Sequence, residues 1–220
     1  MPEPRSPRPV VAAFDVDGTL TTGDCVLPFL RRAAGARLAT ALLRHPLTLA
    51  RGLVRRDRDT LKALACASLA GRPATEIDRL GAEFASDVAA SRLREDTTAR
   101  LRRHRELGHT VVLASASLDA YLVPLGELLG ADEVVCSRLE RGADGRLTGR
   151  LDGANCRGAE KARRVRALLA ARGLEHALLW AYGDSSDDEP LLELADHGVR
   201  VGRAPIPSDS DNWWRTTAAR

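Results

Sequence analysis

Short apolar runs alternate with longer stretches of helical periodicity along this chain, and that exchange predicts its elements. Val10–Phe14 (VVAAF) is apolar and short enough for a buried strand; it runs into Asp15-Val16-Asp17-Gly18, where the glycine permits a tight turn and Thr19 can hydrogen-bond locally. From Leu27 to Arg103 leucine and alanine recur between arginines and no strand pattern intervenes, which predicts a helical insertion broken at Gly35, His45-Pro46, Gly52 and Gly71-Arg72-Pro73. Strands then return at Thr110–Ala114 and Glu133–Ser137. Between them Leu118–Leu129 fits a helix ended by Gly130, with Ser115 or, better placed, Ser117 as its cap. Leu139–Leu151 reads as a hairpin turning at Asp144-Gly145, and Gly158–Arg172 as a basic amphipathic helix ended by Gly173. Ala177–Tyr182 is a strand leading into Gly183-Asp184, followed by a helix at Pro190–Ala195 and a last strand at Gly198–Val201.

Strands alternating with helices imply an α/β fold with a mostly parallel sheet, and such sheets bind ligands beyond the carboxyl ends of their strands. Asp15, Asp17, Ser115 and Asp184 all fall at those ends. In an extended segment Asp15 and Asp17 share a face, so one can attack an electrophile while the other handles a proton. An acidic turn after a strand would leave the same trace.

Composition narrows the field only a little. The 220 residues suffice for one α/β core with an inserted smaller unit, and 44% hydrophobic with 29% charged residues is ordinary for a soluble globular protein. A formal charge of +3 makes no case for nucleic acid. Cys25, Cys66, Cys136 and Cys156 are scattered, which suggests neither a zinc site nor a disulfide framework. The proline-rich start lacks an apolar signal core and reads as a disordered lead-in over residues 1–9. No run of about 18 apolar residues escapes interruption by charge. The expected setting is cytoplasmic, with peripheral contact to a membrane left open.

Four separated elements need one explanation: DVDGT at 15–19, a strand ending in Ser115, Lys161 on a helix, and GDSSDD at 183–188. Together and in this order they resemble the haloacid dehalogenase-like hydrolase superfamily, within it the phosphoserine-phosphatase-like branch with a helical cap after the first motif. The resemblance runs from Val10 to Val201. It implies a Rossmann-like core at residues 10–22 and 101–203, an inserted cap at 23–100, and a tail at 204–220 carrying Trp213-Trp214. It further implies that Asp15 is a nucleophile forming an aspartyl-phosphate and Asp17 a general acid and base. Ser115 would hydrogen-bond the transferring phosphoryl group, and Lys161 would neutralise its charge. Mg²⁺ would be held by Asp15, the backbone carbonyl of Asp17 and Asp184, with Asp188 holding a metal-bound water or supporting the site from behind. Relatives often carry Asn at the position of Asp187, whose role stays open.

The expected reaction is hydrolysis of a small phosphorylated metabolite such as phosphoserine. Asp24 would meet the substrate's amino group, or else make a hydrogen bond at the cap hinge. Residues 38–58 combine apolar positions with Arg44, His45, Arg51, Arg55, Arg56 and Arg58, so a lipid phosphate of the phosphatidylglycerophosphate kind, met by a basic cap on an anionic lipid surface, is the alternative. A non-enzymatic phosphate-sensing or partner-binding module is a remote third.

Overall fold

A computed structural model describes residues 8–206, so the start of the predicted lead-in and the Trp213-Trp214 tail lie outside the described residues. The elements in chain order are β1 (Val10–Phe14), α1 (Val26–Ala34), α2 (Ala36–Leu43), α3 (Pro46–Arg55), α4 (Arg58–Cys66), α5 (Ala74–Ser91), α6 (Glu95–Glu106), β2 (Thr110–Leu118), α7 (Asp119–Leu129), β3 (Glu133–Ser137), β4 (Leu139–Arg141), β5 (Leu147–Leu151), α8 (Ala159–Ala171), β6 (Leu178–Gly183), α9 (Glu189–Leu194) and β7 (His197–Arg200). Single 3₁₀ turns follow α4 and precede α9.

Five strands form a parallel sheet in the order β3-β2-β1-β6-β7, the Rossmann-like arrangement expected. Both faces are covered, and β1 shows why its sequence is apolar throughout. Val11 and Ala13 pack with Val165 and Leu169 of α8 and with Leu191 of α9, whereas Ala12 and Phe14 face the larger cluster on the other side. The order reverses at β1: β2 and β3 lie on one side, β6 and β7 on the other. Phe14 pairs with Leu113 and with Tyr182, so the residues just beyond it meet at the crevice where open α/β sheets bind ligands.

All of the helices between β1 and β2 belong to the stretch read as helical. The predicted break at Gly52 is not there: Gly52 lies inside α3, and the chain turns at Arg56 instead, in a left-handed conformation (φ 53°). Gly52 serves helix packing, because a Cβ there would stand 3.0 Å from Leu61 Cδ2 of α4. The strand at β2 also runs further than expected, through Leu118, with a register irregularity between Ala114 and Leu118.

Two seams join the helical stretch to the sheet. Helix α5 lies on α7 so closely that a Cβ at Gly81 would collide with the Ala120 carbonyl. The β4–β5 hairpin reaches across to the turn before α5: Gly71 N donates to Leu147 O (2.8 Å), Leu147 N to Arg72 O (2.9 Å) and Ala74 N to Gly145 O (2.9 Å). Among the described residues no helix is long and apolar enough to cross a membrane.

Candidate active site

Asp15 follows β1 and is fixed by its own backbone, whose N–H donates to Tyr182 O of the neighbouring strand (2.9 Å). Its carboxylate meets Lys161, which α8 carries in its first turn: Nζ donates to Asp15 Oδ1 (2.6 Å) and to Asp188 Oδ1 (2.5 Å). Lys161 is only 2% exposed, and Asp15 and Asp188 are buried as well. Burial works against the lysine's charge, but the two carboxylates hold its pKa above the ordinary range, so it stays an ammonium. Burial pushes the Asp15 carboxyl upward while Lys161 pulls it back. The other oxygen of Asp188 accepts from Ser185 N (3.1 Å) and Ser185 Oγ (2.9 Å), which locks the turn after β6.

Two glycines let these acids approach. Gly18 has φ +87° and a Cβ there would run into the Asp184 carboxylate; a Cβ at Gly183 would run into Asp188. Asp184 accepts a hydrogen bond from Thr19 Oγ1 (3.3 Å), so the threonine side chain reaches across to the end of β6 while its backbone N–H bonds locally to Val16 O (3.1 Å).

Asp17 is turned toward β2. Its Oδ2 accepts from Ser117 Oγ (2.8 Å) and its Oδ1 from Cys25 N (3.0 Å). Burial raises its pKa to about 6, against the lowering effect of the Ser117 hydrogen bond and with a further upward push from Asp24. The expectation that Ser117 caps α7 is therefore corrected: the strand continues through it, α7 has no side-chain cap bond, and its hydroxyl belongs to Asp17. Ser115 is buried, its Oγ accepting from Ser117 N (3.1 Å). Asp24 spends its carboxylate on the start of α1, accepting from Val26 N (3.2 Å) and Leu27 N (3.1 Å).

Asp15, Asp17, Asp24, Ser115, Lys161, Asp184 and Asp188 all line one cavity of about 620 Å³, a size suited to a small ligand. Its opposite wall comes from α1 and α4, and there the sequence reading missed a group. Lys62 of α4 points into the cavity and donates to Ala116 O and to Asn155 Oδ1 (2.7 Å). Both partners are neutral, and burial lowers its pKa. Arg58 and Arg157 flank it, both paired with Asp187 (3.4 and 2.7 Å), which gives Asp187 a place: it bridges α4 to the loop before α8. The one hint in the sequence was that Lys62 and Lys161 are the chain's sole lysines.

Carboxylate oxygens of Asp15, Asp184 and Asp188 lie within 4.8 Å of one another. A single ammonium serves Asp15 and Asp188, while Asp184, with its pKa raised by burial and by Asp188, has a hydroxyl for company. This excess of hard oxygen donors over positive charge fits a divalent cation such as Mg²⁺.

Known proteins similar to this chain bear on its family and fold. The protein CicA of Caulobacter vibrioides is 39% identical over 198 residues, covering 89% of this chain and 88% of its own. A phosphoserine phosphatase of Streptomyces coelicolor is 31% identical, covering 92% of this chain and 46% of its own length. Among solved structures, a Bordetella pertussis protein of unknown function superposes with a TM-score of 0.67 at 26% identity, over 84% of this chain and 86% of the other. A phospho-aspartyl intermediate analogue of phosphoserine phosphatase superposes at 0.60 with 18% identity (89% and 86% covered), which supports the fold. The family model for haloacid dehalogenase-like hydrolases matches residues 12–193, spanning every acid and the lysine described above, and the chain belongs to that family.

Proposed function

We propose that this chain is a Mg²⁺-dependent phosphomonoester hydrolase in which Asp15 takes the phosphoryl group. The observation that carries the reading is Asp15 at the end of the central strand, held by Lys161 at 2.6 Å within an acidic cluster, with Asp17 two residues on in the same cavity. Asp15 attacks phosphorus and the alkoxide leaves with a proton from Asp17. Asp17 then removes a proton from the water that attacks the aspartyl-phosphate, which returns Asp15 and releases phosphate. A carboxyl whose pKa is raised to about 6 by burial suits both directions of that transfer. Lys161 neutralises the phosphoryl oxygens as it does the carboxylates, and Ser115 hydrogen-bonds one of them. Asp15, Asp184 and the Asp17 carbonyl would hold Mg²⁺, with Asp188 behind them, and the ion would supply Lewis acidity toward the phosphoryl oxygens.

Residues 23–100 act as the cap, and the leaving group lies against it. Lys62 supports a substrate with a second anionic group, as phosphoserine has, because it faces the cavity and its hydrogen-bond partners there are neutral. The test is phosphate release from phosphoserine by the full chain, with Mg²⁺ and with EDTA, and with phosphatidylglycerophosphate as comparator. Turnover should need Mg²⁺ and vanish in Asp15→Asn; turnover that persists in that variant overturns the mechanism.

A further inference from the structure

Positive charge is segregated in this chain. Residues 25–56 contain seven arginines, one histidine and no acidic residue, whereas the remainder holds 26 basic and 30 acidic residues of the chain's 33 and 30. The same segment exposes its aliphatic side chains. Leu43, Leu47, Leu53 and Val54 are 72%, 75%, 59% and 84% exposed. Leu47 and Val54 stand two turns apart on one face of α3 with Arg51 between them, and Leu43 ends α2 just before the corner at His45-Pro46. Among the described residues Arg44, Arg51, Arg55 and Arg56 make no ion pair, whereas Arg32 on α1 is bound by Glu83 and Asp87.

We propose that the α2–α3 corner docks on an anionic lipid bilayer, its leucines and valine entering the acyl boundary and its arginines meeting headgroup phosphates. Aliphatic groups so exposed project outward, which suits insertion into an interface. Unpaired arginines around them add attraction to a negative leaflet. A second copy of the chain is the poorer occupant, because a two-fold contact would set this uncompensated positive patch against itself. The corner adjoins the active site: α3 rests on α4 through Gly52 and Leu61, and Leu61 lines the catalytic cavity. The docking goes beyond the proposed hydrolysis, since binding to a bilayer requires no turnover.

The experiment is co-sedimentation of the full chain with vesicles of phosphatidylcholine alone and of phosphatidylcholine mixed with phosphatidylglycerol. The chain should bind the mixed vesicles, leave the neutral ones free, and be released by salt. Arg44→Gln with Arg51→Gln should lower partitioning by about 25-fold, on the order of fivefold for each arginine near the surface. Leu47→Ser with Val54→Ser should lower it by about tenfold or more. Both variants should keep the wild-type circular dichroism and the wild-type turnover of a soluble phosphomonoester, which separates loss of docking from loss of fold or catalysis. Failure to bind mixed vesicles, or equal binding by the variants, overturns the proposal. So does a self-association, seen by sedimentation velocity, that the Leu47→Ser/Val54→Ser variant dissolves while vesicles go unbound.

Discussion

Replacing Lys161 with Met keeps most of the unbranched side chain but removes the cation that touches both Asp15 and Asp188. At 2.6 and 2.5 Å, with all three side chains buried, the lysine is not a surface partner that water can replace. Breaking a buried ion pair from one side costs about 3–5 kcal/mol, because the remaining charge stays desolvated. In a chain of this size that lowers Tm by roughly 6–20 °C, at about 2–4 °C per kcal/mol. The carboxylates can escape by taking up protons, which gives the effect a pH dependence. Burial raises the Asp15 carboxyl above its unfolded value of 3.8 even beside the lysine, to about 7. A group raised in the folded state adds stability at low pH and loses it as pH rises through its folded pKa. Without Lys161 that pKa moves further up, so the deficit of the variant must widen above neutrality, by up to about 1.4 kcal/mol per pH unit for one group. Urea unfolding followed by circular dichroism, in EDTA at pH 6 and pH 8, measures both values. Adding Asp188→Asn should recover part of the loss by removing one of the stranded charges. A Lys161→Met protein within about 1 kcal/mol of wild type at pH 8, where the cost of a broken buried pair should be fully felt, would refute the reasoning. A deficit that shrinks as pH rises would refute it equally.

Three further outcomes are expected. Gly18→Ala forces a side chain into a backbone at φ +87° and against Asp184, so it should cost about 1–3 kcal/mol and raise the Mg²⁺ concentration needed for half-maximal phosphate release. Lys62→Gln should raise KM for phosphoserine by about 10- to 150-fold, the equivalent of one hydrogen bond to a charged group, and leave KM for a phosphomonoester lacking a second anion nearly unchanged. His104, bonded to Tyr182 and His109, is held neutral by burial with its pKa lowered to about 3. The unfolded chain therefore binds its proton first, and stability from this residue is lost as pH falls below about 6.5. The difference in unfolding free energy between wild type and His104→Gln should shrink between pH 7 and pH 5; a constant difference would contradict the assignment.

Asp15, Asp17 and Asp184 were legible because each sits beside a strong local signal, an apolar run or a glycine turn, whereas Lys161 and Asp188 were singled out only by the order of the motifs and the resemblance it carries. Those signals fix the end of a strand, and the parallel topology then brings the ends together. Ser117 misled because serine before a helical stretch is a capping signal, whereas its actual partner, Asp17, is 100 residues away in sequence. Gly52 misled for a similar reason, since a glycine that breaks a helix and one that admits a neighbouring helix look alike until Leu61 is in place. Lys62 gave no pattern at all. Its meaning comes from Ala116 and Asn155, which α4 meets only after the chain has folded back over the sheet.

The β4–β5 hairpin, tied by backbone hydrogen bonds to Gly71, Arg72 and Ala74, limits how the enclosure over the cavity can open. Together with the close seat of α5 on α7, it clamps the far side of the helical stretch to the sheet. Helix α4, by contrast, grips the rim through its side chains: Lys62 on Ala116 O and Asn155, Asp59 on Asn155 and Arg157, Arg58 on Asp187. Ion pairs and polar contacts near solvent are individually weak and loosened by salt. The far side of the helical stretch is thus joined to the sheet backbone to backbone, whereas the near side, where Arg58 and Asp59 meet Asp187 and Arg157, rests partly on ion pairs that added salt weakens.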